Sequence, residues 1–220
     1  MLQTVASYHP LWLSITRLGE AQLVLPATLA LSWWVARQVD LRGLLWRWCF
    51  AFAAAVALTL ATKLAFIGWG VGIPALDFTG ISGHALFAAA TYPLLLRLLL
   101  ADQSHGWQRA AWVVGFLIAA TVAVSRVVVG AHSNSEIVAG FVLGGAVVAF
   151  AGRSWRVRDV APSLLVPLLL VTWFALHLPS RGGGVPSANT HGLVTWMALE
   201  LSGRDAPFHR EHLHTGTTPD

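Results

Sequence analysis

Long apolar runs recur about six times along this chain, and nothing else in it restricts the choice of fold as much. A helix that crosses a bilayer needs about 20 mostly apolar residues, and its backbone polar groups must satisfy one another because lipid offers them no partner. The candidate runs fall at residues 21–35, 44–65, 84–100, 110–124, 136–151 and 162–178. Hydrophobic residues make up 56% of the 220 and charged residues only 11%, which is more apolar surface than a soluble domain of this length needs. The expected fold class is therefore all-α: a polytopic membrane helical bundle of about six transmembrane helices. Several runs are shorter than a full span. That suits helices that start or end at a recessed polar site, where protein or water satisfies the free backbone groups.

Two regions flank the bundle. Residues 8–17 set Tyr8 and Trp12 among apolar neighbours, as an interfacial segment does. The expected division is a transmembrane domain over residues 1–178 and a polar tail over 179–220. The tail is expected to be poorly ordered apart from one short amphipathic helix near residues 193–201. The first twenty residues lack a basic start and a small-residue cleavage pattern, so no removable signal peptide is expected. Cys49 is the single cysteine, which rules out an intrachain disulfide.

The formal charge is +4, but the fourteen basic residues are scattered, which leaves no electrostatic footprint for nucleic acid. They serve topology better. Arg37, Arg42 and Arg47, then Arg97 and Arg109, then Arg153, Arg156 and Arg158 mark three connections expected on the cytoplasmic side. Both termini and the polar clusters described next then face outward, as expected of a cell (inner) membrane protein with its site on the outer or periplasmic side.

Residues 125–136, SRVVVGAHSNSE, concentrate polar groups between two apolar runs. His132 and Glu136 are four apart, so a helix starting nearby places the carboxylate within reach of the imidazole. A second cluster, TGISGHA at residues 79–85, opens the third run, and Lys63 lies near the outer end of the second. Gly80, Ser82 and Gly83 at a helix start expose N–H groups and the positive end of the helix dipole, which is an anion site strengthened by Lys63 and Arg126. His132 and His84 then supply what phosphoryl transfer through a covalent intermediate requires, a neutral imidazole to attack and an imidazolium to protonate the leaving oxygen. Each residue also has a plainer account. Ser133 and Glu136 form the capping pattern S-x-x-E, Arg126 and Lys63 could be interfacial side chains, and His84 could be a polar helix-start residue.

Taken together these residues resemble the type 2 phosphatidic acid phosphatases, the PAP2 superfamily, whose pattern is K-x6-R-P, then P-S-G-H, then S-R-x5-H-x3-D. Ser82, Gly83 and His84 match the second block, with Ile81 in place of its proline. Ser125, Arg126 and His132 match the third, with Glu136 in place of its aspartate. Lys63 matches the start of the first block, whose arginine position falls on Gly70 and whose proline position falls on Val71. The motif core is residues 63–136. The resemblance implies that His132 is a nucleophile forming a phosphohistidine, Glu136 its orienting partner and His84 the general acid, while Lys63, Ser82, Gly83 and Arg126 hold phosphate. It implies a membrane phosphatase acting on a lipid phosphate or isoprenyl diphosphate, with membrane lipid around it and without a cofactor or metal. Two other functions fit parts of the sequence. A degenerate relative could bind a lipid headgroup without turnover, and Gly80-Ile81-Ser82-Gly83 has the form seen in rhomboid-like intramembrane serine proteases. Oligomeric state is not written in the sequence.

Overall fold

The computed structural model describes residues 11–37, 41–101, 103–153 and 190–218. These are helical almost throughout. Helix α1 covers residues 11–17, followed by α2 (Ala21–Arg37), α3 (Arg42–Trp69), α4 (Gly83–Leu99), α5 (His105–Val128), α6 (Asn134–Gly152), α7 (Thr190–Ser202) and α8 (Arg210–Thr215). The only extended pairing among the described residues is an isolated bridge between Ile73 and Phe78, flanking the turn Pro74–Leu76. The protein is a helical membrane bundle.

Helices α3, α5 and α6 are long and apolar enough to cross a membrane, with 28, 24 and 19 residues. Helices α2 and α4 are apolar but only 17 residues long. The sixth expected span, residues 162–178, lies outside the described residues. Large apolar side chains on the outer surface, among them Trp46, Phe50, Leu117 and Val142, are more than half exposed, as side chains that meet lipid rather than water are.

The shortest of the central helices is the best covered. In α4, Ala85, Leu86, Ala88, Ala89 and Ala90 have no exposed surface, because α5 and α6 pack directly along it. Small residues permit that approach. A Cβ at Gly140 would lie 2.4 Å from the Ser82 carbonyl oxygen, and one at Gly144 would lie 2.6 Å from that of Leu86. The two glycines are four apart on α6 and so present one backbone groove to α4, the small-residue packing by which membrane helices replace the hydrophobic drive they lack. Gly115 of α5 does the same against Pro93 of α4, with a Cβ position 2.4 Å from the proline Cα. At the other end, Leu31, Trp34, Leu44, Trp48, Leu94 and Leu98 form an apolar cluster, and Trp48 Nε1 donates to the Ala90 carbonyl at 3.0 Å.

The tail differs from expectation. Residues 190–218 form two helices and a connecting turn that pack on α3, with Ala198 and Phe208 against Phe66 and Ile67. The reason is the end of α3. Gly70 adopts a left-handed conformation (φ 71°), and the chain turns back with the Val71 N–H donating to the Ala65 carbonyl at 3.2 Å. This opens a bare backbone surface on which Phe208 lies, its N–H donating to the Ile67 carbonyl at 2.9 Å.

Candidate active site

The residues singled out in the sequence come from four separate helix ends, and the chain brings them to one end of the bundle. Helix α5 stops after Val128, where Gly130 takes a left-handed conformation (φ 72°) and the N–H groups of Ala131 and His132 fold back onto the Arg126 carbonyl at 2.9 and 3.2 Å. His132 is thereby set beside the start of α6. Ser133 caps that helix: its hydroxyl accepts the Glu136 N–H at 3.4 Å while the Glu136 side chain accepts the Ser133 N–H at 3.1 Å. The cap bonds and a contact with His132 are present together, because the carboxylate has two oxygens to share. His132 Nδ1 lies 2.7 Å from Glu136 Oε2. A carboxylate only accepts, so the proton of the neutral imidazole resides on Nδ1 and the lone pair on Nε2.

Glu136 has no exposed surface, and an unpaired buried carboxylate would cost several kcal/mol. It is fully partnered instead. Besides His132 and Ser133, Oε1 accepts the Thr79 N–H at 2.7 Å and the Thr79 hydroxyl at 2.5 Å, and Arg210 Nη2 donates to both oxygens at 2.9 Å. The segment leading into α4 is tied to the same place: the Ser82 N–H donates to the Glu136 carbonyl at 3.1 Å and the Ile81 N–H to Thr62 Oγ1 at 3.2 Å. Gly80 is required there, since its φ of 150° favours glycine and a Cβ would press on Lys63 at 3.0 Å.

Helix α4 starts without a side-chain cap. Ser82 is completely buried, yet its Oγ has no hydrogen-bond partner among the described residues, and a Cβ at Gly83 would point into open space. The start of α4 thus has free space at Gly83, beside the buried and unused Ser82 hydroxyl. Arg126 Nη1 donates to Thr16 Oγ1 at 2.7 Å, which orients the guanidinium, while its buried Nε is unpartnered among the described residues. Arg126, His132 and Lys63 lie within electrostatic range of His84. His132 titrates below the ordinary imidazole range. Burial is the main cause, the Lys63 and Arg126 charges add to it, and the bond and charge of Glu136 oppose it.

This arrangement brings His84, His132, Lys63, Arg126, Ser82 and Gly83 to one end of the bundle, with Glu136 behind His132. It does not pair Ser82 with a histidine, which a serine nucleophile would need. A family model for the PAP2 superfamily matches residues 69–159. Across almost the whole chain the similarity continues. A protein of Klebsiella pneumoniae described as an uncharacterized 22.5 kDa protein in the cps region is 38% identical over 214 residues, 92% of this chain and 97% of that one. The chain belongs to the PAP2 superfamily. Its members are generally phosphatases, and the bundle has a phosphatase-type fold. No solved structure matches it.

Two features of this PAP2 chain were not legible in the motifs. Gly70 occupies the arginine position of the first block because a Cβ there would lie 2.7 Å from the Phe208 ring, in a backbone conformation that favours glycine. Arg210, which belongs to none of the motif blocks, is bonded to Glu136. No spacing rule links positions 74 residues apart; the one local signal is a charged residue opening a short helix at the end of an apolar bundle.

Proposed function

We propose that this PAP2 chain is a metal-independent membrane phosphatase that removes phosphate from a lipid-linked phosphomonoester or diphosphate at the outer membrane–water interface, through a phosphohistidine on His132. The observation that carries the reading is the 2.7 Å contact of His132 Nδ1 with a buried, fully hydrogen-bonded carboxylate, which leaves Nε2 as the free nucleophilic nitrogen. Nε2 attacks phosphorus, the P–O bond to the leaving group breaks, and that oxygen takes a proton from His84. Water then attacks the phosphohistidine and gives a proton to the deprotonated His84, the P–N bond breaks, and His132, His84 and free inorganic phosphate result. Glu136 stabilises the imidazolium character that develops in both steps. Lys63, Arg126, Ser82 and the N–H groups opening α4 hold the phosphoryl oxygens, a role supported by the unspent Ser82 hydroxyl and Arg126 Nε.

The test is release of inorganic phosphate from phosphatidic acid and from an isoprenyl diphosphate by the purified protein in detergent with excess EDTA. His132→Ala should abolish it on both. The His84→Ala variant should lose far more activity on the monoester, whose alkoxide needs a proton to depart, than on the diphosphate, whose leaving group is already a stable anion. Loss of wild-type activity in EDTA with recovery in Mg²⁺, or turnover by His132→Ala, would overturn the proposal.

A further inference from the structure

The carboxylate behind His132 is held from a part of the chain that none of the motifs includes. Arg210 Nη2 donates to Oε1 and Oε2 of Glu136, each at 2.9 Å, and to Thr79 Oγ1 at 3.3 Å. Its Nη1 donates to the Asp77 carbonyl at 2.7 Å and forms an ion pair with Asp77 Oδ2 at 2.7 Å. The guanidinium therefore joins the turn before α4 to the first turn of α6. It is itself anchored on both sides. Upstream, Phe208 packs on Gly70 beneath the Arg204 guanidinium, which sits 4.7 Å from the ring centre, and downstream His214 Nε2 lies 2.8 Å from Asp77 Oδ1. Leu213 adds an apolar contact in the Phe66–Ile67 cluster.

We propose that Arg210 is a positioning residue of the active site, so that the C-terminal tail completes the site by clamping the Glu136 carboxylate in register with His132. The inference rests on the phosphatase reading only for its effect on turnover. A lone carboxylate in contact with one imidazole can rotate about its last bonds. One whose two oxygens are both held by a guanidinium, with Thr79 and Ser133 on either side, cannot do so without breaking several charge-assisted bonds. The clamp also divides the carboxylate's charge between the Arg210 guanidinium and the His132 imidazole.

Facing His132 are Glu136 of α6, Lys63 of α3, Arg126 of α5 and His84 of α4, and behind Glu136 stand Arg210 and Asp77. Removing the Arg210 charge leaves more of the Glu136 charge to the imidazole, which then holds its proton to higher pH. Arg210 is well suited to remain charged: burial alone would lower its pKa, but the bonds and charges of Asp77 and Glu136 outweigh it and raise the value.

The experiment compares full-length wild type, Arg210→Gln and Arg210→Lys in detergent, reading phosphate release from phosphatidic acid and the NMR titration of the His132 ring. Arg210→Gln should lower kcat about 10–100-fold, the usual cost of losing an orienting partner, with KM little changed. It should also move the His132 titration and the acid limb of the pH–rate profile upward. Arg210→Lys keeps the charge but cannot bridge both oxygens and Asp77, so it should restore the titration more than the rate. Unchanged kcat and unchanged His132 titration in Arg210→Gln, with His132→Ala inactive, would overturn the proposal. So would a loss of rate that comes with lowered thermal stability and an unmoved titration, which marks a tail that only packs. If the wild type releases no phosphate the phosphatase reading fails by itself, and the His132 titration still decides the role of Arg210.

Discussion

At the scale of single residues, the chemistry turns on how one carboxylate is spent. Glu136 caps α6, receives His132 and accepts Thr79 and Arg210, so its substitution disturbs orientation and charge together. We expect Glu136→Gln to lower turnover by about 10²–10⁴-fold, on the scale of an orienting carboxylate lost from a comparable triad. Near-normal kcat in that variant would reduce Glu136 to a helix cap. The pH dependence has a definite sign. His132 attacks only when neutral, and burial assisted by Lys63 and Arg126 lowers its pKa from 6.5, so the acid limb of kcat should have its midpoint below that value. Between the folded value and 6.5 the unfolded chain binds more protons at this residue. The stability it contributes is therefore complete above 6.5 and is lost as pH falls through the folded value. A rate profile with an acid midpoint above 6.5 would contradict the burial argument. Of these relationships, the i, i+4 pairing of His132 and Glu136 was legible in the sequence, because helix geometry alone brings such residues together.

At the scale of elements, the site depends on how closely α4 and α6 approach. The glycines at 140 and 144 decide that distance, and Gly140 abuts the carbonyl of Ser82, the residue that opens the anion site. Gly144→Val should destabilise the bundle by about 1–3 kcal/mol, the cost of overpacking a filled interface, read as a lowered unfolding temperature in detergent. Gly140→Val should in addition reduce phosphate release by displacing the start of α4. Gly152→Ala is the matched control, since a Cβ there meets nothing within 4 Å, and it should leave both measurements unchanged. Equal behaviour of Gly144→Val and Gly152→Ala would show that the helices have room to separate. The apolar runs announced these helices, but their lengths did not rank them. The 17-residue α4 is the most enclosed because its alanines let neighbours approach on several sides.

At the scale of the whole molecule, α1, the turn between α3 and α4, and the tail all meet the site end of the bundle, through Thr16, Asp77 and Arg210 respectively. The basic connections marked by Arg37, Arg42, Arg97, Arg109 and Arg153 predict that this end faces outward. A reporter after Asp220 and a label at Asp77 should both be accessible from outside intact cells, and cytoplasmic location of both would invert the orientation. The sequence by itself determined the helical membrane class, the approximate positions of α2 to α7 and the residues that match the second and third motif blocks. Hydropathy, helix period and capping act between neighbours in the chain, so they can be read without coordinates. The tertiary structure alone decided that Thr79 and Arg210 share the carboxylate of Glu136, and that Gly70 yields its place to Phe208. It also decided that the tail, expected to hold one short helix and otherwise lack order, adds a second helix and packs against α3. Those contacts join segments tens of residues apart, and their existence depends on which helix ends the packed bundle brings together.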